Sequence, residues 1–254
     1  MVEKKLEKGM SFLGRMVERV IGQAKKAKVT YETRAGLQPI LALESRLPLP
    51  KIKQLIDFVG DRFFNQSLPV LKDKTVLEIG PAPLRFQKII ADRRPKAMSG
   101  IFVDGAMEQS ITGNIPNLYL KGSFKAISFE ENFFNCVVAR LCSPQQGDVI
   151  SAIKEIGRVL APNGVGLILD FHPFGLYAKT GNVRLRSVQA TIRGLEDYYK
   201  MCRVSGLSIV DLHEGFVDDL LRNQFATNEE LNAFREMKGT PLVLFLVVTK
   251  RGTK

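Results

Sequence analysis

Apolar residues recur at helical spacing in two segments at the beginning of the chain. The first segment predicts an amphipathic helix, because its apolar positions lie three or four residues apart. Its apolar stripe consists of Leu6, Met10, Leu13, Val17 and Val20. Lysine and arginine occupy the opposite face, so this helix either caps the core with its charges in water or lies on an anionic membrane surface. A second helical pattern covers residues 51–65, and we predict an N-terminal helical cap or lid over residues 1–70.

Short apolar runs alternate with helical patterns along the rest of the chain. The runs cover residues 76–79, 98–103, 136–141, 165–171, 207–212 and 242–249. Helical patterns over residues 85–93 and 149–160 lie between members of this series. Strands that alternate with helices form a mostly parallel sheet covered on both faces, so residues 71–254 are predicted to adopt an α/β, doubly wound fold. The long connection before the last run predicts that the final strand inserts beside its predecessor.

Composition and charge narrow the class of protein. The 254 residues are 45% hydrophobic and 25% charged, which is typical of a globular protein with a sizeable core. Lysine and arginine number 37 against 26 aspartates and glutamates, and the net charge of +11 favours acidic partners. Three separated cysteines and two histidines predict neither a disulfide framework nor a metal site, and they fit a cytoplasmic protein. The chain also lacks the roughly 18 consecutive apolar residues that a membrane span requires.

The turn after the first predicted strand is a candidate ligand site. Residues 77–85 read Leu-Glu-Ile-Gly-Pro-Ala-Pro-Leu-Arg. Ligands of open α/β sheets bind at the carboxyl ends of the strands, and small residues such as Gly80 and Ala82 let a ligand approach the backbone. A Gly-Pro turn after a strand can also be purely structural.

Two later segments give this turn a context. Residues 129–138 read Phe-Glu-Glu-Asn-Phe-Phe-Asn-Cys-Val-Val, and residues 155–164 read Glu-Ile-Gly-Arg-Val-Leu-Ala-Pro-Asn-Gly. With the three segments in this order, the chain resembles the class I S-adenosylmethionine-dependent methyltransferases over about residues 70–254. The similarity is to the branch that includes the quinone-ring methylases and the malonyl carrier-protein O-methyltransferases. It implies a Rossmann-like, seven-stranded sheet and S-adenosylmethionine as the cofactor.

The chain departs from this family at the ribose contact. The family's second strand ends in an acid that binds the ribose hydroxyls, and alignment through Met107 puts Phe102 at that position. Asp104 lies two residues further on and projects from the same face of the strand. We favour Asp104 as the ribose ligand, and a turn aspartate is the alternative.

The turn and the adenine contact differ as well. Of the family's Gly-x-Gly-x-Gly turn only the first glycine is present, and Gly122-Ser123 replaces the adenine-binding Gly-Asp. Phe124 follows and either stacks on the base or belongs to the core. The resemblance therefore implies eight cofactor-binding residues: Glu78, Gly80, Ala82, Asp104, Met107, Ser123, Phe124 and Arg140.

The acceptor side follows the fourth main strand. His172 is the candidate catalytic base there, since a neutral imidazole can take a proton from an acceptor hydroxyl; the alternative is a histidine that caps the strand. Tyr177, Arg184 and Arg186 are predicted to bind an anionic acceptor, and a solvated basic loop is the alternative.

These residues predict methyl transfer to oxygen or carbon of a small or carrier-bound acidic acceptor. Methylation of an exocyclic amine of a nucleobase is disfavoured, because residues 139–144 contain no Asn/Asp-Pro-Pro-Tyr/Phe motif. RNA binding through the basic surface would need a contiguous basic face. The alternative function is a non-catalytic binding or assembly protein with the methyltransferase fold, because the substitutions cluster at cofactor positions.

Overall fold

The structure, a computed structural model, describes residues 47–81, 86–102, 117–142, 149–172 and 195–252. All of them belong to one compact unit, Ala42–Lys254. The predicted N-terminal amphipathic helix over residues 6–20 lies outside the described residues. Within the described ranges, no helix is both long enough and apolar enough to cross a membrane.

Strands and helices alternate along the described chain. The strands are β1 (Thr75–Gly80), β2 (Ala97–Phe102), β3 (Asn117–Lys121), β4 (Phe134–Arg140), β5 (Leu160–Phe171), β6 (Leu207–Phe216) and β7 (Pro241–Lys250). The helices are α1 (Leu49–Ser67), α2 (Gln87–Ala91), α3 (Val149–Val159), α4 (Leu195–Val204) and α5 (Asn228–Met237), with a 3₁₀-helix at Asp219–Gln224. The six predicted runs correspond to six of these strands, and β3 has no counterpart among them.

The seven strands form one sheet in the order β3-β2-β1-β4-β5-β7-β6. Strands β1 to β5 are parallel, and β7 pairs antiparallel with both β5 and β6. The predicted α/β, doubly wound fold is confirmed, as is the insertion of the last strand beside its predecessor. The strand order reverses between β1 and β4, so the ligand crevice of such a fold opens at their carboxyl ends.

Both faces of the sheet are buried. Neighbouring residues of the inner strands enter different apolar clusters, as Val76 and Leu77 of β1 do. Helix α1 covers the first face, and α3 and α4 cover the second. In α1, a Cβ at Gly60 would lie 2.6 Å from a methyl of Leu169 in β5, so the helix packs closely on the sheet. The predicted boundary near residue 70 assigns α1 to the cap, and the lid role of residues 1–70 stays a prediction.

The Glu-x-x-Arg segment at the end of α3 fixes the loop before β4. The Arg158 guanidinium donates to the carbonyl oxygens of Ile127 at 2.7 Å and Phe129 at 2.8 Å. Glu155 accepts from the Ile127 N–H at 2.8 Å and binds Arg158 through two further hydrogen bonds. Asn163 has a left-handed backbone conformation, with φ of 61°, and lies within β5, four residues after the end of α3.

Candidate active site

The carboxyl ends of β1 and β4 lie side by side. The two strands pair in parallel, with Ile79 opposite Ala139, so Gly80 and Arg140 end at the same edge of the sheet. The candidate cofactor turn therefore begins next to the last side chain of β4.

Glu78 lies two residues before the end of β1, where this turn begins. Its side chain is 4% exposed, and its Oε1 accepts the Phe86 N–H, eight residues further along, at 2.9 Å. The Tyr119 hydroxyl of β3 donates to the other oxygen, Oε2, at 3.4 Å. Burial and the neighbouring Glu78 carboxylate raise the pKa of the Tyr119 hydroxyl well above its ordinary value, so it stays protonated and remains a donor.

Arg140 is held at the edge by an acid of α1. Its Nη2 forms an ion pair with the Asp57 carboxylate, and the Arg140 side chain is only 11% exposed. Its Nε is buried and has no hydrogen-bond partner among the described residues. Leaving a buried donor unpaired costs about 1–3 kcal/mol, so this position suits an acceptor atom of a ligand. Sequence reasoning missed Asp57, because 83 positions separate it from Arg140.

Two phenylalanines stand where the family binds ribose and adenine. Phe102, at the end of β2 and opposite Gly80, is 1% exposed. Phe124 is 2% exposed and packs in the apolar cluster under α3, which is the core alternative to base stacking. The Ser123 hydroxyl accepts the Lys125 N–H at 3.1 Å. The roles of Ser123 and Phe124 as cofactor ligands stay predictions.

His172 follows β5 directly and is 2% exposed. Its backbone N–H donates to the Leu242 carbonyl at 3.0 Å, and its imidazole Nε2 lies 2.7 Å from Oε1 of Glu214 in β6. Burial lowers the pKa of the imidazole, and the Glu214 carboxylate opposes that effect. A neutral His172 whose Nε2–H donates to Glu214 carries its lone pair on Nδ1. Sequence reasoning missed Glu214, which is 42 positions away.

The other predicted site residues are not placed. Ala82, Asp104, Met107, Tyr177, Arg184 and Arg186 lie outside the described residues, and their roles stay predictions. Within the part of the chain that the structure describes, no three or more His, Cys, Asp or Glu side chains are arranged to hold a metal ion.

Comparison with known proteins agrees with this geometry. Residues 77–168 match the family model described as a methyltransferase domain. A protein of Listeria monocytogenes assigned to the S-adenosylmethionine-dependent methyltransferases superposes on 78% of this chain and 99% of its own, with 18% identity and a TM-score of 0.61. The chain has the class I methyltransferase fold.

Two further structures share the methyltransferase fold. The S-adenosylmethionine-dependent methyltransferase of Mesorhizobium loti covers 77% of this chain and 100% of its own, with 13% identity and a TM-score of 0.61. A Haloferax volcanii structure, a complex of the Trm112 methyltransferase activator with a protein assigned as a methyltransferase, covers 82% and 97%, with 18% identity and a TM-score of 0.60. No curated protein matches the chain. At these identities the likeness shows the fold, and the branch within class I stays a prediction.

The described residues of this methyltransferase fold suit S-adenosylmethionine at the turn and depart from it elsewhere. The buried Glu78 carboxylate links the end of β1 to the Phe86 N–H, and Arg140 Nε is a buried donor without a hydrogen-bond partner among the described residues. Phe102 and Phe124 provide no polar atom for the ribose or the base. The fit therefore rests on the edge between β1 and β4.

Proposed function

We propose that the chain is an S-adenosylmethionine-dependent methyltransferase that transfers a methyl group to oxygen or carbon of a small or carrier-bound acidic acceptor. The observation that carries this proposal is the Arg140 Nε, a buried donor beside the glycine turn with no partner among the described residues. S-adenosylmethionine is the cofactor supported by the matched domain family and by the names of two relatives.

On the cofactor side, each residue has a distinct task. Bound S-adenosylmethionine supplies a methyl group on a sulfonium, and transfer requires mainly in-line alignment with the acceptor. Glu78 shapes the turn, and Gly80 leaves its backbone open to approach. Arg140 would hold the cofactor, with its Nε as the donor of a charge-assisted hydrogen bond. From the family resemblance we propose that Asp104 binds the ribose, with Ala82 and Met107 as further contacts.

On the acceptor side, we propose that His172 holds the proton released by an acceptor hydroxyl. The Nε2 of this imidazole lies 2.7 Å from Oε1 of Glu214. The resulting imidazolium is stabilised by the Glu214 carboxylate. Tyr177, Arg184 and Arg186 bind the anionic group of the acceptor in this proposal, whether the acceptor is a small molecule or the acidic surface of a carrier protein.

Location and membrane contact are part of the same proposal. Cysteine usage favours the cytoplasm. The basic face of residues 6–20 would suit peripheral contact with an anionic membrane surface.

Calorimetric titration of the purified chain with S-adenosylmethionine and S-adenosylhomocysteine tests the cofactor. We expect micromolar binding, and Arg140→Met should weaken it by about tenfold to a hundredfold through loss of a charge-assisted hydrogen bond. Arg203→Met is the matched control, since Arg203 is exposed on α4. Circular dichroism confirms that both variants fold. If wild type and Arg140→Met bind the ligands with equal affinity, the assignment of Arg140 to the cofactor site is wrong.

The second candidate function is a non-catalytic binding or assembly protein. The observation that favours it is the burial of Phe102, 1% exposed at the ribose position. This alternative predicts no heat with either ligand in a folded wild-type chain. A structure soaked with S-adenosylhomocysteine separates the two, since ribose density at Asp104 supports the enzyme and an aromatic ring in that space supports the alternative.

A further inference from the structure

Three residues in register cross β1, β2 and β3 beneath the candidate cofactor turn. Glu78 of β1 lies opposite Gly100 of β2, and Gly100 lies opposite Tyr119 of β3. Residues paired in this way project from the same face of a sheet. Tyr119 and Glu78 are therefore separated by one backbone position that has no side chain.

The missing side chain at Gly100 makes room for the Tyr119 ring. A Cβ at Gly100 would lie 2.3 Å from Cδ1 and 2.4 Å from Cε1 of Tyr119. Both distances are far below van der Waals contact, so the ring lies directly over β2 where any other residue would displace it. From this position the Tyr119 hydroxyl reaches Oε2 of Glu78, two strands away, at 3.4 Å.

Glu78 transmits this contact to the turn. A buried carboxylate needs donors, because an unpaired charge away from water is expensive. Among the contacts of Glu78, Tyr119 donates to Oε2, and the Phe86 N–H donates to Oε1 at 2.9 Å. Phe86 immediately precedes α2, and Glu78 is two residues before the end of β1. The orientation of one carboxylate therefore ties the end of the strand to the start of the helix.

We propose that Tyr119 is a positioning residue for the cofactor turn: its hydroxyl, admitted over Gly100, orients Glu78, and Glu78 fixes the turn through the Phe86 N–H. Tyr119 raises cofactor affinity in this way without touching the cofactor. The inference about affinity rests on the proposed function, whereas the ordering of the turn does not.

Tyr119→Phe tests the proposal, because it removes only the hydroxyl. We expect S-adenosylhomocysteine to bind about threefold to tenfold more weakly, the lower part of the range for a hydrogen bond to a charged group, since 3.4 Å is long for such a bond. We also expect the Phe86 amide to exchange faster with solvent deuterium, while the Val138 amide in β4 keeps its rate. Tyr199→Phe is the control, since Tyr199 is 57% exposed on α4 and should change neither quantity.

Gly100→Ala provides an independent variant that keeps the hydroxyl and displaces the ring. It should change Phe86 exchange and affinity in the same direction as Tyr119→Phe. An unaltered ratio of Phe86 to Val138 exchange in Tyr119→Phe overturns the proposal, even if the melting temperature falls, because the hydroxyl would then have only a general structural role. If Phe86 exchange responds but the wild type binds no S-adenosylhomocysteine, Tyr119 orders the turn and the proposed function fails.

Discussion

Replacement of Arg158 by alanine should destabilise the fold without weakening cofactor binding. Arg158 ends α3 at the amino edge of the sheet, opposite the carboxyl edge that holds Gly80 and Arg140. It donates to two backbone carbonyls, those of Ile127 and Phe129, which belong to the loop before β4. Loss of the guanidinium leaves both carbonyls without this donor.

The size of the effect follows from these contacts. A hydrogen bond to a charged group contributes about 1.5–3 kcal/mol to stability. The Arg158 side chain is 34% exposed, so water competes for it and the lower value applies to each carbonyl. The total is about 3 kcal/mol, which for a domain of this size corresponds to a fall in melting temperature of about 6–12 °C.

Urea unfolding and thermal scans measure the loss, and calorimetry with S-adenosylhomocysteine measures binding. Arg158→Lys serves as the matched variant, since it keeps the charge but cannot donate to both carbonyls with the geometry of a guanidinium. It should recover less than half of the stability that Arg158→Ala loses. A melting temperature equal to that of the wild type would refute the hydrogen-bond argument. A loss of affinity at temperatures where the variant is folded would refute the assignment of Arg158 to the scaffold.

Three further outcomes are expected. Gly157→Ala should cost about 1–3 kcal/mol in urea unfolding, since its Cβ would lie 2.4 Å from the Ser205 carbonyl oxygen, a backbone atom that cannot move alone. Burial lowers the pKa of His172, so just below the ordinary value of 6.5 the unfolded chain binds more protons than the folded chain. The unfolding free energy should therefore fall as pH drops through 6.5. His172→Gln should remove that part of the fall. The pKa of Glu155 is lowered by its hydrogen bonds with Arg158, so its stabilisation is present above pH 4.5 and is lost on further acidification, an effect that should shrink in Arg158→Ala.

The sheet was largely predictable from the sequence because most strands are apolar on both faces. β4 and β7 read as continuous apolar runs, as strands buried under helices do. β3 was not predicted from the sequence, because it has only five residues and lies at the edge of the sheet, where Leu118 is 50% exposed. Its apolar pattern is too short to separate from a loop.

The pairs that build the candidate site were beyond sequence reasoning for a physical reason. Asp57 meets Arg140 because α1 packs across the sheet, and Glu214 meets His172 because β7 inserts antiparallel between β5 and β6. Each contact depends on packing angle and strand register, which local spacing does not specify. The sequence predicted His172 and Arg140, whereas the acids that hold them required the assembled fold.

The three segments that carry the family resemblance mainly build the scaffold. Glu78 ties β1 to α2, and Asn135 accepts the Thr75 N–H at 3.0 Å and so joins β4 to β1.

The Glu155–Arg158 pair of the third segment holds the loop before β4. A match to these segments consequently reports the fold. The family's function requires, in addition, the residues that contact the ligands. Those contacts are the positions where this chain differs, with Phe102 as the clearest case. The family match therefore supports S-adenosylmethionine as the cofactor without giving its affinity, and a binding measurement on this chain is the direct test of the cofactor site.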